Sequence, residues 1–552
     1  MKHYITILTC LGMLLTLAAC STFEADPRYD DPGAVDSLYV ALTISLDRGG
    51  ASSRAATPMG GEEGDGWEYG RDYENRLHDF TVFVLAVGAD INSPAATTFA
   101  GSRYFSESDV AAATLTEHDN IRTETAYKYD NKDVLTYDFT IPVVRRLTAP
   151  EVGALRFIIV ANMGDCTQQF TTLGELRDAQ PTQTWTAATK DDETPTRFVM
   201  TNENDNYYAT GAGTIEDPLR LHVMLERMAA RIDFDPTGAT VKDKSLCYEL
   251  NLPAPAPSNL PAPSNLPQRG EALQAHLYVD NMRVVNAAQP ASYLIKRVAD
   301  DLVGTNLRYL GDELPVPSGQ PQTNWVIEPN TGRKTVDNAA DAALLSTLYG
   351  ETSLSAVATS ITGLTEPDVP LITSTYTTLA YTNENTFSRE ATLSSYATGV
   401  CLRCRFEPLH NYYTAYNATT DDLTEGTYTL GQTFTMVEVN DPELSEPLRL
   451  YFEKEADAEA YAKNTPKKHF ATVTTYTDGV CYYFIWLRHA NNVDVIHDVM
   501  EFATVRNNIY RFSIQSTSGP GTPTPDARHP EQLRARVYVK KWLLVEHPTI
   551  LM

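Results

Sequence analysis

Residues 37–46, Ser-Leu-Tyr-Val-Ala-Leu-Thr-Ile-Ser-Leu, alternate apolar and small or polar side chains without a break. Successive side chains of a β-strand point to opposite faces. Leu38, Val40, Leu42, Ile44 and Leu46 therefore share one face, and Tyr39, Ala41, Thr43 and Ser45 the other. A strand with one wholly apolar face needs a second layer to cover it. The next stretch is of another kind. Residues 47–67 are rich in Gly, Ser, Ala and Glu, show no periodicity, and contain Arg48 and Arg54. A well-formed strand is thus joined to the rest by a long exposed loop, the kind of segment that proteases cut first.

Ahead of the strand, Lys2 and His3 precede an apolar run at residues 5–19. The run is too short to span a bilayer and stands where a secretory signal belongs. It ends Leu17-Ala18-Ala19-Cys20-Ser21, which resembles the lipobox of bacterial lipoproteins. On that reading residues 1–19 are a signal peptide and Cys20 becomes the acylated first residue of the precursor. An ordinary signal peptide with an incidental cysteine is the other reading. Acyl chains contribute about 0.8 kcal/mol per buried methylene, so several chains hold far better than one. Residues 21–36 are polar and acidic, as expected of a tether, and no later segment is apolar for long enough to cross a membrane.

Further strands are expected at residues 80–87, 137–143, 155–162, 276–285, 479–488, 507–516 and 536–545. Short helices are expected at 171–179, 453–463 and 337–349, the last with Asp337 as N-cap and Gly350 as its stop. Long strands with few helices point to an all-β chain with minor helices, built as sheet-on-sheet sandwiches. The 552 residues allow about two to five domains at roughly 100–200 residues each. A boundary is placed at Asp217-Pro218, where a turn precedes the alternating run at 219–225; it separates residues 55–216 from 217–552. Residues 251–268 are Pro-rich and repeat Pro-Ala-Pro-Ser-Asn-Leu at 255–260 and 261–266. Proline at this density removes ladder donors, so the segment reads as a lengthened hairpin loop, with recognition by an aromatic groove as the alternative.

The chain carries 44 Lys and Arg against 71 Asp and Glu, a net charge of −27. Phosphate binding needs a concentrated basic surface, so nucleic acid is disfavoured as a partner, as is a polybasic hold on anionic lipid. No His-Glu-x-x-His, Gly-x-Ser-x-Gly, P-loop or dinucleotide fingerprint occurs. His489 and His497 flank a polar loop without a third ligand beside them, and no metal or cofactor is expected. An enzyme is unsupported, although acidic residues are numerous enough to leave a glycosidase-type carboxylate pair open. Beyond Cys10 and Cys20, five cysteines remain, an odd and widely spaced set that does not read as a disulfide framework. Cys401 and Cys404 have the Cys-x-x-Cys spacing, but residues 399–406 read as a strand, on which positions three apart face opposite ways.

Several segments together carry a resemblance: Leu225-Glu-Arg-Met-Ala-Ala-Arg-Ile-Asp-Phe234, Val326-Ile-Glu-Pro-Asn330, Val505-Arg-Asn-Asn-Ile-Tyr-Arg-Phe-Ser-Ile514 followed by Gly519-Pro-Gly521, and the closing Val537-Tyr-Val-Lys-Lys-Trp-Leu-Leu-Val545. In this order they look like the fimbrillins of Bacteroidales, the subunits of type V pili. The resemblance implies two transthyretin-like β-sandwich domains, export as a lipoprotein to the outer membrane, and assembly with further copies and other pilus subunits at the cell surface, in support of adhesion. It also implies maturation by an arginine-specific protease that removes the first strand with the lipid. A strand from the next subunit then fills the opened groove. Carried onto this chain, the propeptide is 20–54, with cleavage between Arg54 and Ala55 and with Arg48 as second choice. The removable strand is Leu38, Val40, Leu42, Ile44 and Leu46. The donor strand is 534–552, with Ala535, Val537 and Val539 in one phase and Trp542 and Leu544 in the other, and a bulge or kink expected at Lys540-Lys541 between them. A tip adhesin or membrane anchor of the same pilus, with a host or bacterial surface ligand, is a second reading. A surface glycan-binding lipoprotein is a third.

Overall fold

The structure, a computed structural model, describes residues 35–45, 67–85, 94–112, 114–116, 134–182, 197–202, 209–252, 273–289, 292–299, 308–309, 325–369, 376–387, 393–440, 447–464, 471–489, 500–527 and 533–543. A first sheet runs in spatial order β4 (Phe99–Phe105), β3 (Phe80–Leu85), β7 (Arg156–Ala161), β8 (Met200–Asn202), β9 (Leu219–Arg227), β1 (Val35–Ser45), β6 (Val134–Leu147) and β5 (Thr114–Thr116). It folds over on itself, because each strand has an apolar face to cover. Phe80 of β3 meets Tyr137 of β6 edge-on at 4.8 Å between ring centroids, and Phe105 of β4 meets Phe139 of β6 at 4.9 Å. The enclosed core takes in Leu38, Val40, Leu42 and Ile44 of β1. The strand begins two residues before the alternating run, and Leu46 lies outside the described residues.

The first body extends past residue 216, the expected limit of the first domain. Leu219, Leu221, Val223 and Leu225 of β9 are buried in the first core, with β1 on one side and β8 on the other. After β9 the chain leaves this body at Met228 and Ala229. Alternation marks this stretch as a strand but does not mark which sheet takes it.

From there the chain enters a second body, whose sheets face each other across one core. One sheet is ordered β17 (Thr377–Thr382), β10 (Ala230–Asp235), β25 (Asn508–Thr517), β26 (Leu533–Leu543) and β2 (Trp67–Tyr69). The other is ordered β11 (Ala239–Lys242), β12 (Ser245–Leu252), β13 (Leu273–Val285), β18 (Gly399–Pro408) and β24 (Val480–Trp486). Phe234 and Phe512 from the first pack with Leu277, Leu402 and Phe406 from the second. A further sheet, β20 (Asp422–Glu425), β19 (Tyr412–Asn417), β22 (Leu448–Phe452), β21 (Phe434–Val439) and β23 (Ala471–Tyr476), packs against the helix Glu455–Asn464 through Ala458 and Tyr461. A small sheet of β15 (Arg308–Tyr309), β14 (Arg297–Ala299) and β16 (Trp325–Val326) completes the set. The chain is all-β with minor helices, and its layers are β-sandwiches.

The helix expected from Asp337 starts later, at Ala342–Tyr349. Asp341 is its N-cap, accepting from the amides of Ala343 and Leu344 at 3.0 Å, because the residues before it are spent in turns closed by Ala339 N–H to Val336 and Asp341 N–H to Asn338. The Pro-rich segment lies largely outside the described residues, but it connects β12 and β13, which pair antiparallel from Leu252 opposite Leu273. It is a hairpin connection.

Cys401 and Cys404 point into different cores, one against Val285, Phe484 and Trp486 and the other into the sandwich interior. Cys166, Cys247, Cys401, Cys404 and Cys481 are all free and buried. Burial pushes the Cys166 thiol up to about 11 and that of Cys481 up to about 12. A thiolate is the reactive form. The native protein is therefore expected to leave these five unmodified by an alkylating agent at mildly alkaline pH, and to expose all five on denaturation, as counted by mass spectrometry.

Candidate functional site: the seat of the first strand and the hold on the last

β1 is an interior strand. It pairs antiparallel with β6, with Leu38 opposite Ile141, Val40 opposite Phe139 and Leu42 opposite Tyr137. On its other side it pairs parallel with β9, where Val40, Leu42 and Ile44 meet Leu219, Leu221 and Val223. Each inward side chain thus has apolar neighbours along the sheet, and all four are at most 1 % exposed. At about 1.5–3 kcal/mol each, their burial contributes roughly 6–12 kcal/mol as an upper bound. Beside β9 the seat is closed by a turn. The amide of Tyr39 donates to the Gly213 carbonyl at 3.0 Å. Gly213 has a φ of +74°, in the left-handed region, and a Cβ there would stand 3.1 Å from Leu38 Cδ2.

The other end of the chain lies in the second body. β26 pairs antiparallel with β25 from Leu533 to Lys541 and parallel with β2, where Trp67, Glu68 and Tyr69 stand opposite Lys541, Trp542 and Leu543. Ala535 and Val537 are half-buried against the sandwich core, and Val539 is in register with Tyr510. The kink expected at Lys540-Lys541 is not there. Both residues pair in step with Ile509 and Asn508, and the irregularity falls instead in β25, at Gln515. Pairing on both sides at Lys541 holds the strand straight through the change of apolar phase. Cys20, Arg48, Arg54, Ala55, His497 and Leu544 lie outside the described residues. His489 shares a hydrogen bond with the Tyr510 hydroxyl at 2.8 Å, and no metal-binding group of three or more His, Cys, Asp or Glu occurs among the described residues.

Between the two ends sits a buried polar junction. The segments 225–234 and 505–514 lie side by side, β10 parallel to β25. Arg227 donates to the carbonyl of Glu74 at 2.9 Å, to Asn507 Oδ1 at 3.2 Å and to the side chain of Asn75. Arg231 reaches Glu74 at 2.7 Å and Asp233 at 3.0 Å, and Asp233 also accepts from Arg511 at 2.9 Å. Burial pulls Arg227 down to about 9 against the opposing pull of Glu74. Asp233 and Glu74 outweigh the same burial at Arg231 and hold it well above the usual arginine range. Next to Asn507, Arg506 grips Glu384 through two nitrogens at 2.7 and 2.8 Å. Buried charges survive only when paired and hydrogen-bonded, so these contacts fix how β9, β10 and the one-turn helix Asp72–Asn75 meet. Sequence reasoning marks both segments as motifs without finding what they do. The charges within otherwise apolar strand patterns are the available signal.

Fold and site together define a chain of β-sandwiches whose first strand lies in the interior of its own sheet. A family model described as Major fimbrial subunit protein type IV, Fimbrillin, C-terminal, matches residues 474–547, which span β24, β25 and β26. In that segment the chain is fimbrillin-like. Among solved structures it is similar to a fimbrilin (fimA) from Porphyromonas gingivalis W83, at 15% identity over 93% of this chain and 100% of that one, with a TM-score of 0.35. It is also similar to the tip fimbrial protein Mfa3 from Porphyromonas gingivalis with C-terminal truncation, at 12% identity over 92% and 100%, with a TM-score of 0.30. No curated protein matches the chain.

Proposed function

We propose that this chain is a structural subunit of a type V pilus. It is exported as a lipoprotein acylated at Cys20 and cut after Arg54, or failing that Arg48. It is polymerised when the C-terminal strand of another subunit takes the place vacated by β1. The observation that carries this reading is the seat of β1, an interior strand with a wholly buried face whose loss leaves the edges of β6 and β9 unpaired. Such an opened edge pair, lined by apolar side chains, accepts an extended segment by main-chain bonding and side-chain fit. In the uncut chain β26 is occupied by β25 and β2, so donation begins with its release from them. The fimbrillin-like match of residues 474–547 supports the same reading.

Treating the purified precursor with an arginine-specific protease tests it. The expected result is loss of residues up to Arg54 and conversion of monomer into an SDS-resistant ladder. Replacing Arg48 and Arg54 together should abolish the ladder, and truncation before Val537 should abolish it while cleavage proceeds. A chain that is cut and yet stays monomeric on long incubation would count against polymerisation by strand exchange. It would favour a subunit that keeps its first strand and its lipid.

A further inference from the structure

Glu328 and Lys334 flank the short 3-10 turn Thr331–Arg333, Asn385 stands in a bridge to Thr504, and the three meet out of reach of solvent, with exposures of 3 %, 1 % and 0 %. Glu328 belongs to the Val326-to-Asn330 segment, for which the pilus reading has no use. The Lys334 amine stands 2.7 Å from Glu328 Oε1 and 2.5 Å from Asn385 Oδ1. The second oxygen of Glu328 accepts the Asn330 amide at 2.7 Å, which fixes the carboxyl group. Asn385 is held at each polar atom of its side chain. Its Nδ2 donates to the Tyr396 carbonyl at 2.7 Å and to Thr398 Oγ1 at 2.9 Å, and the Tyr349 hydroxyl, which has the Tyr396 carbonyl at 3.1 Å, stands 3.4 Å from its Oδ1. Its backbone bonds Thr504 in both directions, at 2.9 and 3.0 Å. Tyr349 and Tyr396, both fully buried, wall the cluster.

An amine, a primary amide and a carboxyl group, dry and in contact, are the complete set of reactants for a transamidation. Burial lowers the proton affinity of Lys334 and raises that of Glu328, each against the pull of the other, which favours the neutral amine and the neutral acid. We infer that Lys334 and Asn385 form an intramolecular isopeptide bond, with Glu328 carrying the proton. The Nζ lone pair forms a bond to Asn385 Cγ, and the carbonyl π pair moves onto Oδ1, towards which the Tyr349 hydroxyl turns from the Tyr396 carbonyl. Glu328 delivers its proton to Nδ2 and takes one from Nζ. The carbonyl re-forms, the Cγ–Nδ2 bond breaks, and ammonia leaves. One amide replaces another, the acid is regenerated, and no oxidant or cofactor is consumed. The bond closes a covalent loop between residues 51 apart and ties the turn after β16 to the segment after β17, which is itself bridged to Thr504 ahead of β25.

Peptide mass spectrometry of the full chain, denatured and digested with trypsin, tests this independently of the pilus reading. No Lys or Arg stands between Lys334 and Arg389, so the expected product is a single internally linked peptide, residues 334–389, lighter by one ammonia than the same linear stretch, with no cleavage after Lys334. Lys296, buried against Glu226 at 2.8 Å, should still be cleaved as a free amine. Glu328→Gln and Asn385→Ala should each restore cleavage after Lys334 and release a linear peptide of residues 335–389. Wild-type protein that yields a free Lys334 terminus and an unlinked Asn385 peptide at full mass overturns the inference, and this readout requires no variant to fold. A Glu328→Gln chain that is still linked overturns the role given to the carboxyl group.

Discussion

A precursor carrying Leu42→Asp is expected to lose about 4 kcal/mol or more of stability, at the upper end of what single substitutions do. Leu42 is fully buried between Tyr137 on β6 and Leu221 on β9. A carboxylate there exchanges a favourable apolar contact for an unpaired charge, or for a proton taken up at a cost. The effect should appear as a lower urea midpoint in the uncut chain. Once the protease has cut after Arg54 and the strand has gone, the variant and the wild type become the same molecule, and their midpoints should coincide. A difference that survives cleavage would show that β1 stays in the mature fold, and the proposed route of assembly would then fail.

Glu384→Ala is the second substitution with a large expected effect. Arg506 is fully buried, and Glu384 supplies the carboxylate that grips it; the guanidinium also donates to the carbonyls of Leu294 at 3.1 Å and Tyr293 at 2.6 Å. Burial pulls the Arg506 guanidinium down, but Glu384 outweighs it and holds the group above the usual arginine range. Removing one partner of such a pair leaves a buried charge without its counterion and typically costs about 3–5 kcal/mol. The double substitution Glu384→Ala with Arg506→Met should recover most of that loss, since replacing both charges removes the desolvation penalty along with the attraction. Urea unfolding of the two variants measures this. A loss below about 1 kcal/mol in the single variant would place the pair among contacts of surface strength.

The elements legible in the sequence are those whose signal is local. The alternation in 37–46 specifies β1 and its buried face because a period of two has one structural meaning. Cys401 and Cys404 read as two separate strand thiols for the same reason. Where the decision depends on a partner distant in sequence, local pattern is insufficient. Nothing in 219–225 distinguishes a strand of the first body from one of the second, and the expected boundary falls before β9 rather than after it. Asp337 and Asp341 are equally good N-caps by type, and only the turns before Ala342 choose between them. The charges of Arg227, Arg231 and Asp233 carry no mark of burial until Glu74, Asn507 and Arg511 are brought beside them. The change of apolar phase at Lys540-Lys541 reads as a bulge only if β26 is considered alone; with β25 and β2 on either side it is a straight ladder.

The placement of β1 between one antiparallel and one parallel neighbour has a mechanical consequence. A hairpin strand at a sheet border can be peeled, one rung at a time, by a pull across its axis. β1 has ladders on both flanks and no border, so a pull along its length loads the rungs to β6 and β9 together, in shear. Such a joint resists tension until many bonds yield at once. Any segment that occupied the same slot in the same direction would inherit this loading, and a chain of such joints would stretch little before it broke.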